Sequence, residues 1–376
     1  MIARAWLVAL AAGCAAHDTV ATGGGDDRDT YCLGSGPPVL VDDTCTGAIA
    51  AATFRAGVCA CGDLALAADV TVDAFDSRTG PYTPGGAGGD LAGNATISSN
   101  AALTVSGDLT ARALAAGPRA DVAGDLALAG ALGRSSSTIG VGGSARVGGD
   151  LDVAALTVAG TLTTTAGHAE AGAITAGSRT TAAVAVPPPC PCDRATVDVA
   201  AEIALHATAN HDAAIGLTPA ALAAATGDHE LALPCGRYYL DGVTVTGGGL
   251  TVRADGRVAL FIAGNVTLDG PLAITLAPGA ELDLFVGGAL NLPAAVTLGD
   301  PARPRDLRVY LASAGTIAIA GGSTIAGNLY APAADLATSA AVELYGAVLV
   351  GHWNLAAPAA VHHDRAVEVA GEACEP

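Results

Sequence analysis

Residues Val147–Thr164 read "VGGDLDVAALTVAGTLTT". Leu151, Val153, Leu156, Val158 and Leu162 alternate with small or polar residues, and Gly148-Gly149 and Ala159-Gly160 punctuate the run. A period of two marks a strand, and Gly-Asp or Gly-Gly marks a turn. The phrase recurs. "CGDL" ends at Leu64, "GGDL" at Leu91, "VSGDL" at Leu109, "VAGDL" at Leu126, "VGGDL" at Leu151 and "VAGTL" at Leu162, with spacings such as 109 − 91 = 18 and 126 − 109 = 17. One such unit cannot bury its apolar face, but stacked units can, because each coil's strands hydrogen-bond to the next. The repeat therefore predicts an all-β fold, a right-handed parallel β-helix (β-solenoid), and the plain phrase is its scaffold.

Composition supports thin, stacked layers. Of 376 residues, 51% are hydrophobic but only 3% aromatic, so the core rests on Ala, Val, Leu and Ile. Gly, at 50 residues, is high, as many turns require. The net charge is −19, with 17 basic residues against 36 acidic ones, and the basic residues are scattered. That excludes a nucleic-acid surface, which needs clustered cations. "GGAGGDLAG" at 85–93 fits a calcium-binding nonapeptide loosely, but no tandem copy follows and a Gly-rich turn is the simpler reading.

"AVAVPPPCPCD" at 183–193 forbids helix and central strand and reads as a stiff linker. Beyond it, Val199, Ile203 and Ala207 lie at helical spacing, predicting a helix over about 195–209. Thr218-Pro219 before "AALAAA" resembles a cap followed by proline at the first helical position. This helical insert is expected to cover an exposed solenoid end. The β pattern then resumes in "ALFIAGNVTL" (259–268), "DLFVGGALNL" (283–292) and "RVYLASAGTIAI" (308–319). Phe261, Phe285 and Tyr310, 24 and 25 residues apart, read as one aromatic position in successive coils. The coil is longer than in the first half. About ten coils would make a rod about 50 Å long.

The start, "MIARAWLVALAAGCAAHD", has Arg4, a short apolar run and small residues before Cys14. It resembles a bacterial lipoprotein signal peptide. That resemblance implies cleavage before Cys14, lipid attachment to its sulfur and, with Ala15 following, an outer-membrane or cell-surface location. The domain plan is a signal peptide (1–13), a flexible tether (14–30), a Cys-containing cap region (31–84), a first solenoid section (85–182), the linker (183–193), a helical insert (194–234) and a second section (235–376). Cys32, Cys45, Cys59, Cys61, Cys190, Cys192, Cys235 and Cys374 make an even set in an exported chain, so disulfides are expected, with the pairing open. The C-x-C spacing does not favour zinc.

Several phrases together, "TFRAGVCACGDL", "DAFDSRTGPY", "LPCGRYYLDGV", "GGSTIAGNLYAPAADL", "VELYGAVLV" and "AVHHDRAV", resemble a group of exported bacterial proteins. These carry a C-terminal β-helical domain of unknown function and include cell-surface lipoproteins and neighbours of pilus-assembly-type proteins. The likeness covers most of 45–370 and is strongest over 235–368. The first-half repeats are similar in texture to bactofilin-type polymer-forming domains. Relatives often read His-Tyr-Asp-Glu where this chain has His362-His363-Asp364-Arg365. The family implies a fold and a location, not an activity.

Chemistry-bearing motifs are sparse. A phosphate-binding P-loop needs lysine, and the sequence contains none. No G-x-S-x-G or H-E-x-x-H occurs. His206, His211 and Asp212 form one polar group and His362, His363 and Asp364 another, and both read as structural. Asp241, Asp255, Asp269 and Asp283 recur about every 14 residues and would line one face of a polysaccharide lyase or hydrolase. The favoured expectation is a non-catalytic envelope lipoprotein with a structural or adhesive role, without cofactor or metal. The bilayer is met only through Cys14, an envelope polysaccharide or protein is the expected partner, and the oligomeric state is open. The alternatives are a β-helix carbohydrate enzyme and a self-assembling scaffold module.

Overall fold

The computed structural model describes residues 28–33, 40–41, 44–193 and 197–373. They form a parallel β-solenoid whose coils each carry three short strands. One inward row can be followed through the whole stack: Leu231, Val252, Ile274, Leu298, Ile325 and Leu344, then Val361, Val72, Val105, Val122, Val141, Val158 and Ala176. Those thirteen rungs, about 4.8 Å apart, make a rod of roughly 60 Å. The rod is longer than the sequence suggested because coils in the irregular stretches, such as 58–75 and 324–338, also join the stack.

The row jumps from Val361 to Val72, which locates a seam. The last coil of the second section pairs with the first coil of the first section on all three faces, through Val348↔Val58, Trp353↔Leu64 and Ala359↔Val70. The N-terminal half therefore continues the C-terminal half, and the two sections form one stack. From residues 28–33, tied to Cys235 near the far end, the described chain comes to the seam at Val58, builds outward to Glu170–Thr181, returns through the linker to the seam, passes to the far end and builds back.

Among the described residues, four α-helices accompany the stack: α1 (Arg28–Leu33), α2 (Thr46–Thr53), α3 (Val199–His206) and α4 (Asp212–Ile215). Asp198 starts α3 by accepting from the Ala201 amide at 3.0 Å. Of the insert expected to cover a solenoid end, α3 lies on the flank, while α4 and the turns after it sit on the edge of the first coil. Ile203 packs in the cluster that holds Phe261, Phe285 and Tyr310. The helix expected after Thr218-Pro219 does not form. Residues 219–224 are turns, because Leu222 is drawn into the core as the first rung and its carbonyl accepts from Thr244 N at 2.8 Å. Tertiary burial overrides the helix propensity of alanine there.

The aromatic row is outward-facing yet buried. Tyr239, Phe261, Phe285, Tyr310, Tyr330 and Leu349 stack in register, and the same row continues across the seam through Cys59 and Ala92 to Thr110. Ring centroids lie 4.9 Å apart for Phe261–Phe285 and 4.8 Å for Phe285–Tyr310, with planes within 17° and 16°. Residues of α2, α3 and the 3₁₀ segment Arg365–Ala373 share a buried cluster with this row, so bulky rings give way to small or polar residues beyond the helices.

The recurring Gly-Asp has a specific job. Asp108 N donates to Asp90 Oδ1 at 2.8 Å, Asp125 N to Asp108 Oδ1 at 2.7 Å, and Ser144 N to Asp125 Oδ1 at 2.7 Å. Each aspartate thus caps the corner amide of the next coil. The preceding glycine makes room for it. A Cβ on Gly107 would lie 2.0 Å from Asp90 Oδ1, and one on Gly124 would lie 2.2 Å from Asp108 Oδ1. At 85–93 the same chemistry shapes the Gly-rich turn, where Gly85 N donates to Asp73 Oδ2 and Asp90 caps Asp108.

Candidate functional site

One polar cluster straddles the seam. Tyr345, His362 and Asp73 occupy one outward position on three successive coils. His362 Nδ1 lies 2.6 Å from Asp73 Oδ1. Tyr82, on the loop after the strand Val70–Phe75, donates to Asp73 Oδ2 at 2.8 Å and lies against the imidazole, with centroids 3.9 Å apart. Tyr345 flanks the ring at 4.9 Å. His362 Nε2 faces Glu343 Oε1 at 3.4 Å, an ion-pair separation, but makes no hydrogen bond. His362 and Asp73 are both buried, while Glu343 is about half exposed.

The electrostatics follow from this packing. Burial pushes the Asp73 carboxyl up, but bonds from His362, the Gly85 amide and Tyr82 outweigh it and hold the group below the usual carboxylate value. Burial, reinforced by the bond to Glu343, pushes the Tyr345 phenol up to about 12. Asp73 fixes the imidazole ring so that its Nε2 edge is turned toward Glu343. No serine, threonine or cysteine side chain hydrogen-bonds to His362 among the described residues.

The neighbouring residues complete the stitch. His363 lies on the opposite side of the strand, where Nε2 meets the Phe54 carbonyl at 3.0 Å, and burial holds its imidazole below the ordinary value. Asp364 Oδ1 accepts from Ser77 N at 2.9 Å. The run 362–364 thus bonds to residues 54, 73 and 77 across the two halves, while Asp364 also accepts from Arg305 N at 3.3 Å and Ala366 N at 3.1 Å within its own half. Arg365 pairs with Glu368 at 3.2 Å and lines a groove of about 990 Å³ with Arg55, Asp90 and Asp108. Burial raises the Asp90 carboxyl there.

The other sequence candidates part company. His206 stacks on Phe261 with centroids 4.0 Å apart. His211 Nδ1 accepts from Arg237 N at 2.9 Å, and Asp212 Oδ1 from Tyr239 N at 3.0 Å, so both finish the edge of the first full coil. Asp241, Asp255, Asp269 and Asp283 do not share a face. Asp283 is fully buried and pairs with Arg308 and with Thr46 of α2. Asp255 pairs with exposed Arg253, and Asp269 accepts from Gly247 N. Asp241 and Asp269 lie in bends, whereas Asp255 and Asp283 lie within strands. No three His, Cys, Asp or Glu side chains converge as a metal-ligand set among the described residues.

Among the described residues, three disulfides fix the chain path: Cys32–Cys235, Cys59–Cys190 and Cys61–Cys192. The last two tie the returning linker to the first strand of the N-terminal half, and Asn94 bonds to the Cys190 backbone beside them. They imply an oxidising compartment. Cys14, Cys374 and the side chain of Cys45 lie outside the described residues, as does the signal region.

Sequence reasoning missed Asp73, Tyr82, Glu343 and Tyr345 as partners of His362. Each looks ordinary in its own strand or loop, and only the seam brings them together. No curated protein and no solved structure matches the chain. Residues 196–369, a little under half of it, match the family described as "Domain of unknown function (DUF7305)". The second half of the rod, with α3 and α4, is thus similar to a C-terminal domain of no assigned function, here folded as a β-solenoid.

Proposed function

We propose that this chain is a non-catalytic structural rod of the bacterial envelope, exported and held to a bilayer through lipid on Cys14, with an adhesive or spacing role. One observation carries the reading. His362, His363 and Asp364, the most reactive-looking run in the matched domain, bond to Asp73, Phe54 and Ser77 across the seam. Their chemistry goes into joining two halves of a scaffold. The three disulfides and the capped corners add rigidity suited to a load outside the cytoplasm.

The test is incubation of the full chain, made in an oxidising compartment, with acidic and neutral polysaccharides, with calcium and with chelator, while new chain ends are followed. No cleavage is expected. Reproducible cleavage lost in His362→Ala or Glu343→Gln would replace this reading with an enzyme. Lipid attachment is tested by fatty-acid labelling in cells, which Cys14→Ser should abolish.

A further inference from the structure

The two ends of the rod are finished differently. At the first coil, α4 and the following turns close the edge. His211 N donates to Arg237 O at 2.7 Å, Asp212 accepts from Tyr239 N, and Asp241 N donates to Pro219 O at 2.9 Å. At the other end, the final rung, Glu170–Thr181, bonds to the preceding coil on one side only. Most of its residues are exposed, and it contains no proline and no lysine. Edges of that length are normally covered or blocked.

Two of the three core rows change character on this rung. Leu132, Leu151 and Glu170 are successive in one, and Ala145, Leu162 and Arg179 in another. Glu170 and Arg179 therefore stand at core positions and pair across the open end of the core, with His168 Nε2 2.7 Å from the same Glu170 oxygen. Both bonds use Glu170 Oε1. Glu170 Oε2 and Arg179 Nε and Nη1 make none.

The rung is also self-complementary. Its ends carry opposite charges, Glu170 and Arg179, and the residues between them, "AGAITAGS" (171–178), are small or apolar or carry only a hydroxyl. Gly172 and Gly177 flank the central face 173–176, beside the places where the register shifts. A two-fold axis through Thr175, perpendicular to the rod, lays this face antiparallel on its copy, with Ile174 over Ala176. The same axis carries one outer face onto the other, so Glu170 meets Arg179 of the second copy and Arg179 meets its Glu170. This needs a one-residue slip at each corner, of the kind already present between Asp152 and Ala155.

We propose that the rung Glu170–Thr181 docks a second copy of this chain, giving a two-fold, end-to-end dimer whose Glu170–Arg179 pairs cross between copies. This rests on the scaffold reading and deepens it by naming a partner. A lid of like charges would repel a copy, whereas this balanced pair attracts one. Because the opposite end is closed, assembly stops at the dimer and does not run on as a filament.

Sedimentation of the full chain over a wide concentration range tests it. The wild type should dimerise. Glu170→Arg and Arg179→Glu should each weaken the dimer at least about tenfold, since each sets like charges against each other. Mixing the two variants should restore it as a heterodimer, because one then carries only positive and the other only negative lid residues. Thr175→Arg, at an exposed position on the axis, should also give a monomer and guards against a lid variant that fails to fold. A wild type that stays monomeric, a dimer that survives all three changes, or a mixture that stays monomeric would overturn the proposal. None of these results bears on polysaccharide cleavage, so the scaffold reading stands or falls separately.

Discussion

Phe285→Ala probes the buried outward row. Phe285 is fully buried between Phe261 and Tyr310, with centroids at 4.9 and 4.8 Å. A phenylalanine buries roughly 150–250 Å², which at about 25 cal/mol per Å² is about 4–6 kcal/mol of transfer free energy. Compactness of the unfolded chain trims that figure, while loss of two stacked pairs adds about 0.5–1.5 kcal/mol each. The expected cost is about 4 kcal/mol, within the usual range for this substitution. Thr163→Ala is the matched control. Thr163 lies in the same strand row beyond the seam, where no helix covers it, and should change stability by less than about 0.5 kcal/mol. Urea unfolding followed by far-ultraviolet circular dichroism reads both. A cost below about 1 kcal/mol for Phe285→Ala, or equal costs for the two, would refute the claim that the helices bury this row.

Other outcomes follow from the same geometry. Gly124→Ala sets a Cβ 2.2 Å from Asp108 Oδ1 and 2.7 Å from the Gly107 carbonyl oxygen, so it should destabilise by about 1–3 kcal/mol in thermal melts. Acid should loosen the seam in two steps. His363 is held below its ordinary value, so the unfolded chain protonates first and stability falls as pH drops below about 6.5. Asp73 is also held low, so its contribution is complete above about 3.9 and is lost as pH falls through its folded value. His363→Gln should flatten the upper step of a stability-against-pH curve and leave the lower one. Replacing Cys59, Cys61, Cys190 and Cys192 together by serine opens a loop of 131-residue separation and should cost about 3–5 kcal/mol, read as a lower urea midpoint.

Much of this was legible in the chain. Alternation in 147–164 gives strands, and the recurring Gly-Asp gives corners, because both signals are local. Phe261, Phe285 and Tyr310 announce a stacked row at one coil's spacing, and their registers agree. The order of the two halves was hidden. Any parallel rung offers much the same edge amides and carbonyls to a neighbour, so Val361 stacking on Val72 leaves no mark in either strand. The residues that specify the joint act over long separations, as His362 does with Asp73 and His363 with Phe54. Buried Asp283 misled for a related reason. Its partner Arg308 is the same position one coil on, and a spacing of about 14 residues does not follow coils of 24 and 25.

The most direct measurement concerns the seam. Ala65 and Asn354 are exposed partners in adjacent coils, one from each half. Cysteines placed at both positions, about 4.8 Å apart, should form a new disulfide in the oxidised protein, found by peptide mapping. If the sections followed one another in chain order, these positions would lie roughly 60 Å apart by the same coil spacing. Ready formation of the Ala65→Cys/Asn354→Cys bridge is the predicted result. Two free thiols in a correctly folded protein would contradict the account.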